Sequence, residues 1–382
     1  MLGSLGILFI VGGASYVLGS RFRHVPGPII ALIFGALMGV GGPFGANILW
    51  NDGSILPPEP LGSLRVLGAI LLMWGAGIEM DVALLRKHDH VLRAAGIGIL
   101  GGVFSAGMTW LLLDIGVLGH FGETERFGLA IVSAASAIPV LIAIVQTLGK
   151  LRHPITATAL TAALIVDLIL VALIPMVRVD TGGDSPISHF GRSFVYLLAM
   201  IVLAEGPWRF QIRRLGARFL SLSPNTAATL AVGFGITIAV TALAGQVGVE
   251  LLPAALGWGI GSKQFFFPDQ STDRNPFAEA FFAFVASYFA LAGAMMDLRQ
   301  VSLIGGFFGL LMIATKVLGG LPFGRDGLRA GLLLAPRGAV DLVLAVSLFS
   351  SGVLSPEGYA LAVTMIATTT IGAALLARFA FR

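Results

Sequence analysis

Four ionisable side chains stand inside apolar stretches of this sequence, and their types limit the chemistry open to it. Asp167 interrupts Ala162-Ala163-Leu164-Ile165-Val166-Asp167-Leu168-Ile169-Leu170. Lys316 stands in Ala314-Thr315-Lys316-Val317-Leu318-Gly319, and Arg337 and Asp341 lie four residues apart just after Pro336. Holding an ionised group at the centre of a bilayer costs about 2.5–3.5 kcal/mol on insertion scales, so an acid at that depth marks a functional site. A carboxylate and an ammonium deprived of water can carry protons. A deprotonated carboxylate is also a hard oxygen ligand, at which Na⁺ or Li⁺ can replace H⁺ once carbonyls and a hydroxyl complete the shell. Competition of that kind at Asp167 is enough for exchange. Lys316 reads either as a proton carrier or as a counter-charge. Arg337 can pair with carbonyls or acids, and Asp341 reads either as its intrahelical ion-pair partner or as a second proton or cation site.

The elements that must carry these groups are membrane helices. Of the 382 residues, 56% are hydrophobic and only 12% charged, with a mean hydropathy of +0.92. Apolar runs of about 20 residues, the length needed to cross a hydrocarbon core of roughly 30 Å, recur from end to end. They lack the alternation of barrel strands. The fold class expected is an all-α integral membrane protein of about 13 transmembrane helices, at residues 2–19, 26–42, 62–80, 93–113, 126–148, 154–176, 190–210, 225–245, 249–262, 277–296, 302–321, 328–350 and 357–378. The chain has no cysteine, which excludes disulfides and thiol catalysis, and no basic tract interleaved with aromatics that would point to nucleic acid. It carries no dinucleotide or phosphate-loop fingerprint in context, so no cofactor and no enzyme activity are expected.

Orientation follows from charge. Arg86, Lys87, Arg93, Lys150, Arg152, Arg209, Arg213, Arg214, Arg218, Lys263, Arg325, Arg329 and Arg378 fall on one side of this thirteen-span layout, and few cations fall on the other. By the positive-inside rule the N-terminus is outside and the C-terminus cytoplasmic, in a multi-pass protein of the cell inner membrane. Arg21 and Arg23 follow the first apolar run, the reverse of a signal peptide. The histidines His24, His88, His90, His120, His153 and His189 fall in loops or at span ends.

Two spans carry a proline well inside. Span five reads Ser133-Ala134-Ala135-Ser136-Ala137-Ile138-Pro139 and span twelve Ala335-Pro336-Arg337-Gly338-Ala339. Proline removes a backbone donor and frees a carbonyl, which a membrane tolerates only where protein or a water-lined cavity satisfies it. Each interrupted span precedes a helix that begins at a proline, Pro154 or Pro356. Spans two to six and nine to thirteen therefore read as inverted repeats with two broken crossing helices, a pattern that points to a transporter site.

These residues resemble the bacterial Na⁺/H⁺ antiporters of the monovalent cation:proton antiporter superfamily. Lys316-Val317-Leu318-Gly319-Gly320 followed by Leu334-Ala335-Pro336-Arg337-Gly338-Ala339-Val340 is similar to that family's lysine helix and second broken helix. Gly77-Ile78-Glu79, Val145-Gln146-Thr147-Leu148-Gly149, and Gly293 with Asp297 support the likeness. The resemblance implies that Asp167 binds the ion, that Lys316, Arg337 and Asp341 supply supporting charge, and that Ser136 offers an ion-shell hydroxyl. It implies scaffold and dimerisation helices at 1–88 and 224–298, an ion-translocating core at 91–178 and 302–380, a linker helix at 189–218, and a homodimer. Val166 stands where the family has an acid or asparagine, and Ala137 and Leu141 stand where it has hydroxyls. With one titratable acid removed, the balance leans toward one cation for one proton. The function expected is secondary exchange of Na⁺, Li⁺ or K⁺ for H⁺ by alternating access, serving pH homeostasis. The alternatives are a cation-coupled organic-anion symporter on the same scaffold and a transport-inactive sensor subunit. An intramembrane aspartyl protease is excluded by the residues before each aspartate, Val166 and Val340.

Overall fold

Three of the helices begin in the same way, with a polar residue that caps and a proline in the first turn. Ser185 accepts from Ser188 N–H ahead of Pro186, Ser355 from Gly358 N–H ahead of Pro356, and the His153 ring from Ile155 N–H ahead of Pro154. Such a side chain satisfies an orphan donor, and proline fills a position whose donor has no partner. In the computed structural model, residues 2–21, 27–39, 42, 56–57, 59–80, 82–86, 88–150, 152–177, 185–222, 226–266, 286–301 and 303–381 are described. All regular secondary structure among them is helical.

In chain order the helices are α1 (Leu2–Arg21), α2 (Gly27–Met38), α3 (Glu59–Glu79), α4 (His88–Asp114), α5 (Glu123–Ala134), α6 (Ile138–Thr147), α7 (Pro154–Leu173), α8 (Pro186–Glu205), α9 (Arg209–Leu222), α10 (Thr226–Gln246), α11 (Leu251–Phe266), α12 (286–294), α13 (Leu303–Gly319), α14 (Gly324–Leu333), α15 (Ala339–Ser350) and α16 (Pro356–Leu376). Among the described residues, six stretches are long and apolar enough to cross a membrane: Leu61–Glu79, Val91–Asp114, Pro154–Met176, Pro186–Glu205, Leu303–Leu333 and Pro356–Phe381. Residues 277–285 of the expected tenth span, and the side chains of His24, His88 and His90, lie outside the described residues.

The arginine-rich stretch 209–218, placed in a loop by hydropathy, forms most of α9. Hydropathy passes over it because its arginines make it polar. The helix packs on α11 through Gly216, which sits directly on the Phe265 backbone, while Phe210 and Leu215 stay exposed.

Two packing centres stand out, joined by contacts of α15 and α6 with α3 and of α7 with α8 and α11. In one, α4 packs on α5, α7 and α13, and α13 on α14 and α16. In the other, α11 packs on α3, α8, α9 and α10. Where helices cross, glycines let backbones touch, the device expected where lipid offers no hydrophobic drive for association. Gly319 of α13 abuts the Gly101 backbone of α4, Gly331 of α14 abuts Lys316 O, and Gly293 of α12 abuts Leu32 of α2. Tyr359 of α16 donates its hydroxyl to Ala292 O of α12 at 2.7 Å, while its ring stacks on Phe349.

Both proline-bearing spans are interrupted. α5 ends at Ala134 and α6 starts at Ile138, so that Pro139 is the second residue of α6 and costs it no hydrogen bond. α14 ends at Leu333 and α15 starts at Ala339, with Pro336 and Arg337 in the gap.

A Cβ at Gly319 meets backbone, whereas one at Gly107 meets nothing within 4 Å. Gly319→Val should therefore cost about 1–3 kcal/mol through forced separation of α4 and α13. Thermal unfolding of the solubilised protein should show a lower midpoint for this variant and no loss for Gly107→Ala.

Candidate functional site

A broken helix leaves its last carbonyls without amide donors, and here those of α5 are taken up by two cations from elsewhere in the chain. Arg337 Nη1 donates to Val132 O at 3.0 Å and also to Ala135 O, and Arg337 Nη2 donates to Ser133 O. Lys316 Nζ donates to Ala134 O and, at 3.1 Å, to Ser136 Oγ. All four carbonyls from Val132 to Ala135 thus accept from a guanidinium or an ammonium. Positive charge at a helix C-terminus is also favoured by the helix dipole. Thr370 of α16 holds the arginine backbone in place, its Oγ1 donating to Arg337 O at 2.7 Å.

The second break is capped from within. Asp341, in the first turn of α15, accepts from Gly338 N–H through Oδ2 at 2.6 Å. Its Oδ1 lies 3.8 Å from Arg337 Nη1, an ion pair at the long end of the range, and has no hydrogen bond. The expected Arg337–Asp341 pairing is therefore present but loose. Arg337 precedes α15, and most of its donors go to carbonyls of α5.

The two breaks touch. Ala137 N–H donates to Pro336 O at 3.1 Å and Ser136 Oγ to Leu334 O at 3.1 Å. Asp167, near the middle of α7, is brought against this junction. Its Oδ1 accepts from Ser136 N–H at 3.1 Å, while its Oδ2 is buried with no partner. Asp167 and Lys316 are each 1% exposed, and Arg337 and Asp341 0%. The four groups named from sequence, with Ser136, form one cluster. Lys316 sits on neither carboxylate, its ammonium going instead to a carbonyl and a hydroxyl.

Val166 packs against α4. A Cβ at Gly98 of α4 would meet Val166 Cγ2, so the valine fills the glycine-lined seam between α7 and α4. Sequence reasoning missed Thr370 and the Ser105–Thr315 hydroxyl pair, at 2.9 Å, that joins α4 to α13 beside Lys316. The run Thr368-Thr369-Thr370 in an apolar helix was the available signal.

The family described as "Sodium/hydrogen exchanger, transmembrane" matches residues 6–381. The chain belongs to the sodium/hydrogen exchanger family. This exchanger is 24% identical over 351 residues to K(+)/H(+) antiporter 1 of Saccharomyces cerevisiae, covering 83% of the chain but only 39% of that longer relative. It is 24% identical to the probable Na(+)/H(+) antiporter 3 of Methanocaldococcus jannaschii, covering 97% of the chain and 92% of the relative. To the Na(+)/H(+) antiporter of Enterococcus hirae it is 21% identical over 94% and 93%. Its fold is similar to that of the sodium proton antiporter MjNhaP1 of Methanocaldococcus jannaschii at pH 8, with a TM-score of 0.63 at 16% identity over 100% of the exchanger and 98% of that chain. The exchanger is thus a multi-pass membrane protein, and the family match bears out the antiporter expectation from sequence.

Arg337→Gln should destabilise by about 3–5 kcal/mol, the range for breaking a buried charged network. Arg337→Lys should remain well below the parent, because one ammonium cannot span three carbonyls in the guanidinium's planar fork. Midpoints of thermal unfolding in the order parent, Arg337→Lys, Arg337→Gln are expected; a lysine variant as stable as the parent counts against the carbonyl-capture account.

Proposed function

We propose that the protein exchanges Na⁺, Li⁺ or K⁺ for H⁺ across the membrane by alternating access, with Asp167 as the site shared by cation and proton. The observation that carries this reading is the unpartnered Asp167 Oδ2, buried beside two helix breaks in a cluster of two acids and two bases. With all four groups ionised the formal charges cancel. A proton or a monovalent cation at Asp167 then produces the same net charge of about one unit, so the two ligands are electrically interchangeable and compete. Ser136 Oγ and Asp341 Oδ1 are the further oxygens offered for the cation's shell. Lys316 keeps its charge on Ala134 O and Ser136 Oγ and does not cycle, which makes the exchange one for one and electroneutral.

The finer architecture belongs to the same proposal. Thirteen spans form inverted repeats whose broken helices cross beside Asp167. Residues 91–178 and 302–380 are a translocating core that moves against a scaffold of 1–88 and 224–298, joined by a linker at 189–218, in a homodimer. The denser packing of α4 with α5, α7 and α13, and of α11 with α3 and α10, than between these two groups supports this division. The lipid bilayer is the surrounding partner, with the N-terminus outside and the C-terminus cytoplasmic in the cell inner membrane. The protein works without a cofactor and is not an enzyme. Membership of an exchanger family favours this reading over a symporter or a sensor.

The test is cation-induced collapse of an imposed pH gradient in proteoliposomes, with Na⁺, Li⁺ and K⁺ offered separately. Asp167→Asn should abolish the collapse for every cation the parent transports, while its unfolding midpoint stays near the parent's. Exchange surviving in that variant would falsify the assignment of Asp167. In a second measurement, clamping the membrane potential at different values should leave the parent's rate unchanged; a rate that follows the potential would instead mean that Lys316 also gives up its proton.

A further inference from the structure

Apart from the Asp167 cluster, a cavity of about 710 Å³ opens between α3, α11 and α12 on one side and the end of α15 on the other. Its wall is largely apolar or hydroxyl-bearing, with Val343, Ser347 and Ser350 from α15, and among the described residues it includes no carboxylate. Among the described residues the one charged side chain lining it is Arg65 of α3, which is half-buried. Arg65 lines this cavity and makes no hydrogen bond or ion pair with the described residues. Tyr288 of α12 lines the same space, is 2% exposed, and has a hydroxyl without a partner. It lies within electrostatic reach of Arg65. The neighbouring acid Glu125 is already engaged by the N–H and hydroxyl of Ser355, each at 2.6 Å.

An arginine with open donors in a carboxylate-free cavity lacks an acceptor of opposite charge. The planar fork matches phosphate oxygens in a bidentate manner. A cation is repelled there, and a neutral ligand leaves the charge unbalanced. The volume exceeds that of a bare ion and accommodates a headgroup. We propose that this cavity is a binding site for a phosphate-class anion, held by Arg65 with Tyr288 as second donor, taken either as free phosphate or as the phosphate of an anionic lipid headgroup. The site is separate from the Asp167 cluster and does not rest on the exchange reading.

The test is thermal unfolding of delipidated full-length protein in neutral detergent, which needs no transport. One arm titrates inorganic phosphate against chloride at equal ionic strength, and the other titrates short-chain phosphatidylglycerol. A ligand that binds the folded state raises the midpoint in proportion to its occupancy. A saturable rise is expected in at least one arm, and the arm that responds identifies the source. The apparent Kd should weaken at least tenfold in Arg65→Gln and several-fold in Tyr288→Phe. Should Arg65→Gln fail to fold, Arg65→Lys, which keeps the charge but loses the fork, should show an intermediate weakening. No rise with either probe, or an unchanged Kd in the arginine variants, overturns the proposal.

Discussion

Capture of the α5 carbonyls by Arg337 and Lys316 is the interaction on which the rest of this structure depends. An unsatisfied buried carbonyl costs about 1–3 kcal/mol, and a helix broken inside a membrane exposes several at once. Here they are satisfied by two buried side chains of the protein itself, Arg337 and Lys316. The arginine comes from the gap between α14 and α15 and the lysine from α13, so one broken helix can form only if the other half of the chain has already packed against it. Each cation, in turn, is held at a depth where it would otherwise be intolerable. The breaks and the buried charges are mutually required.

That arrangement also isolates Asp167. With both cations directed at carbonyls, neither sits on its carboxylate, and only Ser136 N–H contacts one of its oxygens. The cations therefore act on Asp167 through their field rather than by direct contact. A field balances the carboxylate without occupying it, which leaves an oxygen for a small ligand. A direct lysine bridge would have made each binding event a displacement.

Much of this was legible in the sequence because the informative residues are chemically improbable where they stand. An aspartate between Val166 and Leu168, or a lysine between Thr315 and Val317, has no ordinary explanation in an apolar helix. Pro139 and Pro336 likewise announced the breaks. What the sequence concealed is decided by helix rotation and crossing. Periodicity does not say that Val166 turns to the glycine seam of α4, or that Lys316 reaches a carbonyl rather than an acid. Carbonyls belong to every residue, so no residue type marks Ala134 and Ala135 as ligands of a cation. Hydropathy passed over α9 for the opposite reason, since its arginines hide a helix that packs through Gly216.

The hydroxyl of Tyr359 offers a different kind of consequence. In the two-body arrangement proposed for transport, its bond to Ala292 O crosses from the moving helices to the stationary ones. A net hydrogen bond of about 1 kcal/mol corresponds to roughly a fivefold preference between two states. The resting population of the conformational cycle is then weighted by one phenol, far from any transported ion, toward the arrangement in which that bond is closed. Turnover at a given temperature depends in part on how often it opens.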